Sequence, residues 1–134
     1  MRTLDFLTLD VFTRTPFEGN PLAVFLDAGD LPDARMQAIA REMNLSETVF
    51  LSPLPNHRLP GRSMRIFTPA TELPFAGHPT VGTAVALAAY IDDPATHGRE
   101  ALLLQTRSGL APVRVIYEPS GRKYQMSKAL ALKV

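Results

Sequence analysis

The sequence predicts an α+β domain in which a curved sheet, mixed but mostly antiparallel, wraps around one central apolar helix. Three observations predict it. Segments with strand chemistry outnumber helical ones, the second of two helical segments is small or apolar on every side, and the order is strands, helix, strands, helix, strands rather than a regular βαβ alternation. A chain of 134 residues, 46% of them hydrophobic, can bury a real core within one compact domain.

Residues 3–12 read as a strand whose apolar phase changes partway, with Leu4 and Phe6 even but Leu7, Leu9 and Val11 odd. A bulge or a switch of face would account for that. Thr15-Pro16-Phe17-Glu18-Gly19-Asn20-Pro21 is turn chemistry, and residues 22–26 resume as a short apolar strand, so the opening reads as a hairpin with a wide loop. Asp30-Leu31-Pro32 marks a helix start, with Asp30 or a nearby acid as cap and Pro32 placed where its missing N–H does no harm. The helix should run to about Asn44, burying a face of Met36, Ile39, Ala40 and Met43.

Residues 48–51 and 63–67 read as paired strands, separated by a Pro-, Asn- and Gly-rich connection that holds His57 and Arg58. After a loop over 68–78, the run 79–90 is the all-round apolar helix that belongs at the middle of the domain. Asp92-Asp93-Pro94 ends it, and strands are expected at 102–106 and 110–117 around an Arg107-Ser108-Gly109 turn. Residues 121–134 remain a tail of uncertain structure.

Composition narrows function by exclusion. Lys and Arg number 14 against 13 Asp and Glu, and no basic run occurs, so the footprint of a nucleic-acid binder is missing. Cysteine is absent, which removes disulfides, thiolate catalysis and Cys-based zinc sites together. His57, His78 and His97 have no metal-ligand spacing, and no phosphate-cradling or dinucleotide fingerprint appears, so neither a metal nor a cofactor is expected. No segment resembles a signal peptide or a membrane span, and a soluble cytoplasmic protein with a small-molecule partner is the expectation.

Three segments place polar or constrained residues beside apolar strands: Gly19-Asn20-Pro21, Asn44-Leu45-Ser46-Glu47-Thr48 and Phe75-Ala76-Gly77-His78-Pro79-Thr80. Glu47, between a helix end and a strand start, lies where partial desolvation suits a carboxylate to general acid or base work. By local sequence alone, a solvated carboxylate on an edge strand is the commoner outcome for such a residue. Ser46 could orient Glu47 or simply satisfy the turn. His78 before Pro79 would leave the backbone amides of Thr80 and Val81 at a helix N-terminus, an end that attracts a carboxylate. Gly77 would allow close approach to the backbone, with His78 as a donor; a plain tight turn capped by His78 fits the same spacing.

The stretches LDVFTRTPFEGNPLAVFL, MNLSETVFL and RIFTPATELPFAGHPTVGTA, in that order and spacing, resemble the PhzF-like family of phenazine biosynthesis. The likeness is close over residues 3–90 and looser to about Tyr117. It implies a fold like diaminopimelate epimerase, in which two lobes each wrap a sheet around a helix and the substrate lies between them. Residues 1–120 would then be the N-terminal lobe, with 121–134 a crossing strand or truncated tail and the second lobe absent.

It further implies a cofactor-free isomerase or epimerase acting on a small unsaturated carboxylic acid, the namesake moving a proton within a dihydro-hydroxyanthranilate. The position matching Glu47 takes the proton from one carbon and returns one to another, and that matching His78 contacts substrate. Ser46, Gly77, Asn20 and Thr80 would bind or position it. Because the two lobes are alike, a homodimer of this chain is expected to pair as they do. A catalytically silent binding or interaction module is the alternative. Racemase relatives that use paired cysteines are a poorer fit, since this chain has none.

Overall fold

The computed structural model describes residues 2–54, 61–88, 102–113, 116–118, 123–126 and 129–133. The expected segments at His57, Arg58, Asp92 to Pro94 and His97 lie outside them, as do residues 89–90 of the second helix.

The first strand, β1 (Phe6–Val11), pairs antiparallel with β2 (Asn20–Phe25), giving the expected hairpin. The change of phase in β1 is not a bulge: the register runs unbroken from Phe6 opposite Phe25 to Val11 opposite Asn20. Both faces of the strand are covered instead. Leu7, Leu9 and Val11 join one core cluster, while Leu4 packs on a second cluster and Phe6 stacks on Phe25 at 5.0 Å.

That second cluster lies beneath α1 (Asp33–Met43), which buries Met36 and Ala40 and rests Ile39 and Met43 against Ala23, Phe25, Phe50 and Phe67. The predicted face is the observed one. The predicted cap is not: Pro32 holds the cap position with no side-chain hydrogen bond, and Asp30 is drawn off by Arg2 at 2.6 Å. Asn44 ends the helix in the left-handed region (φ 55°), a conformation its short amide side chain tolerates, and its N–H donates to the Ala40 carbonyl.

Beyond it, β3 (Glu47–Pro53) runs parallel to β2 and antiparallel to β4 (Gly61–Phe67). A two-residue strand, β5 (Glu72–Leu73), pairs with β4 inside what the sequence suggested was loop, too short to carry a pattern of its own. The apolar helix α2 (Gly77–Ala86) begins two residues earlier than expected, at Gly77. Beyond it come β6 (Leu102–Thr106), β7 (Gly109–Val113), β8 (Ile116–Glu118), β9 (Lys123–Met126) and β10 (Ala129–Lys133). Of the strand expected over 110–117, the described residues fall in β7 and β8, and residues 114–115 lie outside those described.

The sheet order is β7-β6-β4-β3-β2-β1-β10-β9-β8, antiparallel among the described residues except at β2-β3 and β4-β6. Helix α2 runs against β1, β2, β3, β6, β9 and β10, so the sheet curls around it as expected. Alternation sets the layers: Leu22 and Val24 of β2 and Val49 and Leu51 of β3 face α2, whereas Ala23, Phe25 and Phe50 face α1. At Gly82 helix and sheet approach closely, since a Cβ there would stand 2.4 Å from Leu22 Cδ2. Among the described residues no helix is long and apolar enough to cross a membrane.

On the outer layer Arg65 of β4 joins α1 to β5. Its guanidinium donates twice to Glu72, at 2.8 and 2.7 Å, and once to Asp33 at 2.8 Å, and Arg107 adds a bond to Glu72 at 2.7 Å. Arg65, then Arg107, hold the Glu72 carboxyl below its ordinary range. A carboxyl that is easier to ionise folded than unfolded stabilises the fold above its unfolded pKa, and that contribution is lost as pH falls through the lower folded value. Glu72→Gln should therefore cost about 1 kcal/mol at pH 7, with the difference from wild type shrinking below about pH 4. Urea unfolding at both pH values checks this; a penalty that persists undiminished in acid would show that charge is not its cause.

Candidate active site

The parallel pairing of β2 with β3 brings both strands to start at the same end of the sheet, with Leu22 opposite Glu47. There, too, α2 begins. Glu47 shares the parity of Val49 and Leu51, so its side chain emerges on the α2 face, where His78 occupies the first turn of the helix. The two meet with His78 Nδ1 2.8 Å from Glu47 Oε2. Their side chains are 8% and 18% exposed, so this is a partly sheltered pair rather than a carboxylate in open water.

The hydrogen-bond partners fix the proton count. His78 Nε2 lies 3.1 Å from the Asn20 main-chain carbonyl, which can only accept, so Nε2 carries a proton. Between Nδ1 and Oε2 there is room for one proton, held as imidazolium with carboxylate or as neutral imidazole with carboxylic acid. Among the described residues no hydrogen bond occupies the second Glu47 oxygen, Oε1.

Asn20 joins the group on a second side, its Oδ1 accepting from Ser46 Oγ at 2.9 Å. Phe12, 53% exposed, tilts its ring over His78 at a centroid distance of 6.3 Å, from a backbone in the left-handed region (φ 63°) that bulky residues avoid. A hollow of about 190 Å³ lined by Leu9, Asp10, Phe17, Gly19 and Pro21 flanks Asn20. Larger hollows lie elsewhere, one of about 420 Å³ over β4 and β6 and one of about 440 Å³ beside α1.

Four of the six expected site residues, Glu47, His78, Asn20 and Ser46, are thus linked directly. Gly77 stands at the helix start, with open space where a Cβ would be. Thr80 is different. Its hydroxyl donates to the Ala76 carbonyl at 2.7 Å and its N–H bonds to the same oxygen at 3.4 Å, so it is turned into the helix. Because α2 starts at Gly77, the amides without an intrahelical acceptor are those of Gly77 and His78, not of Thr80 and Val81. His78 itself is engaged on both ring nitrogens.

Two neighbours escaped sequence reading. Phe12 gives no local signal, since its place over His78 depends on a tertiary contact. Asp10 does leave one: an acid inside an apolar strand, where carboxylates are uncommon.

A family model described as phenazine biosynthesis-like protein matches residues 9–131. The chain is 52% identical over 107 residues to trans-2,3-dihydro-3-hydroxyanthranilate isomerase of Pseudomonas fluorescens, a match covering 78% of this chain and 35% of that protein. It superposes on the PhzF-family phenazine biosynthesis protein of Bacillus anthracis with a TM-score of 0.77 at 31% identity, covering 94% of this chain and 40% of the other. A hydroxyproline epimerase of Agrobacterium vitis, at 15% identity and a TM-score of 0.61 over 90% of this chain and 41% of its own, shares the fold alone. The chain spans about a third of the length of the curated relatives it matches.

Proposed function

The chain belongs to the phenazine biosynthesis-like protein family, and we propose on that premise that it supplies the acid/base wall of a cofactor-independent isomerase. Its substrate is a small unsaturated carboxylic acid of the dihydro-hydroxyanthranilate kind, the class named for its Pseudomonas fluorescens relative. The observation that carries the reading is the 2.8 Å contact between a sheltered Glu47 and His78.

The chemistry follows from the groups present. With the shared proton on His78, Glu47 is a carboxylate, and Oε1 takes a proton from a carbon next to the unsaturated system. Negative charge then spreads into the substrate while the imidazolium stays within reach to offset it. The protonated Glu47 returns its proton to a different carbon, so one group serves both steps and nothing is consumed. The Gly77 and His78 amides at the start of α2 are placed to receive the substrate carboxylate.

An opposing wall is required, because a site open to water loses much of its electrostatic effect. A second copy of this chain, paired as related lobes pair, is the source we propose. Light scattering at micromolar concentration should then report a dimer; monomer alone would sink that part of the reading.

The catalytic assignment is tested by uptake of deuterium from heavy water into a dihydro-hydroxyanthranilate-type acid. Uptake should occur with the wild-type protein and be lost in Glu47→Gln. Equal uptake by both proteins would remove Glu47 from the role.

A further inference from the structure

The array around His78 depends on a carbonyl, and that carbonyl stands at the end of a ladder. Asn20 is the last rung of the β1-β2 pairing, opposite Val11, where strands fray most easily. Immediately beyond it the chain enters the wide loop 12–19, where Phe12 and Phe17 both take left-handed backbone angles (φ 63° and 70°) and Phe17 is 88% exposed. Turn bonds within the loop are local, Thr15 N–H to Thr13 Oγ1 at 3.0 Å and Glu18 N–H to the Thr15 carbonyl at 3.3 Å. Such bonds shape the loop but do not anchor it to the sheet.

Asp10 does anchor it. This carboxylate in β1 is 3% exposed, and its Oδ2 accepts the Gly19 N–H at 3.2 Å. Its other oxygen has no hydrogen-bond partner among the described residues and lies against the Gly19 backbone. A Cβ on Gly19 would come within 2.5 Å of both Asp10 Oδ1 and the Val11 carbonyl oxygen. Placing a carboxylate in a strand with one oxygen unmatched is costly.

We propose that Asp10 is a positioning residue for the reaction: by holding Gly19 against β1 it fixes the adjoining Asn20 carbonyl, which keeps a proton on His78 Nε2 and so reserves Nδ1 for Glu47. Release of Gly19 lets the Asn20 carbonyl drift from Nε2. The imidazole can then carry its proton on Nδ1 alone, with Nε2 bare, and no longer receive a proton from Glu47. Gly19 is the second part of the device, since any side chain there displaces the carboxylate or the backbone it rests on.

The proposal rests on the acid/base role given to Glu47, but its principal readout does not. Nitrogen-15 NMR of the His78 ring in the full-length protein reports which nitrogen is protonated without any turnover. In the wild type, Nε2 should be protonated; a bare Nε2 overturns the proposal with no variant needed. Asp10→Ala should give a mixture of ring tautomers and slow deuterium uptake about 10-fold or more, chiefly in kcat, as small misplacements of reacting groups do.

Asp10→Asn keeps an oxygen that can accept the Gly19 N–H and should restore both the Nε2 signature and a rate within about threefold of wild type. An unchanged ring spectrum and rate in Asp10→Ala, or an Asp10→Asn protein whose tautomer is scrambled, would overturn it. If uptake proves indifferent to Glu47→Gln while the ring behaves as stated, the isomerase reading falls and the positioning of His78 stands.

Discussion

Glu47→Gln should slow deuterium exchange into substrate by a factor of about 10²–10⁴, the usual worth of a positioned general acid/base. The amide matches the carboxylate in shape and can still bond His78, so the fold should be retained. What it cannot do is carry a proton from one carbon to another. Asn20 and Ser46 would remain linked as in the wild type, which makes the variant a clean removal of one function. A circular dichroism spectrum superposing on wild type, with exchange reduced to background, is the expected pair of results. A loss smaller than about tenfold would mean that another group moves the proton.

The largest expected change in stability belongs to Phe50→Ala. Phe50 is 1% exposed and central to the aromatic layer under α1, stacked on Phe25 at 5.2 Å and meeting Phe67 edge-on at 5.5 Å. Truncation removes a buried ring, both aromatic contacts and the support beneath Met36, and leaves a cavity in a layer pinned on both sides by strands. The cost should be about 3–5 kcal/mol by urea unfolding, a large part of the 5–15 kcal/mol typical of a domain. A cost near 1 kcal/mol would show that the layer collapses freely onto the space.

Much of this architecture is legible in the residues, and the failures have particular causes. The face of α1 follows from 3.6-residue spacing, and the central place of α2 from its lack of any polar side. The cap at Asp30 could not be read correctly, because Arg2, 28 positions away, competes for that carboxylate and wins. In β1 the apparent phase change is two faces buried at once, which looks the same in sequence as a bulge until α1 is known to cover the second face. The short β5 exists by virtue of β4 alongside it.

Among site residues, Glu47 and His78 stand out through the motifs that surround them. Parity with Val49 and Leu51 was the available signal that Glu47 faces inward. Thr80 misled because Pro79 suggested a helix start where the first turn is already under way. Asp10 is marked only as an acid inside an apolar strand; its partner is a backbone N–H, which no side-chain pattern announces.

The link from α1 to β3 is only Asn44, Leu45 and Ser46, and its length acts as a ruler. Side chains on a strand alternate faces, so inserting or deleting a single residue there would swing the whole of β3 over by one position. The acid would emerge beneath the first helix, Phe50 would be driven into the inner core, and the histidine would lose its carboxylate partner. A change in that count would displace the Glu47–His78 pair and the Phe50 layer together, whereas a substitution at one of the three positions leaves the register as it is.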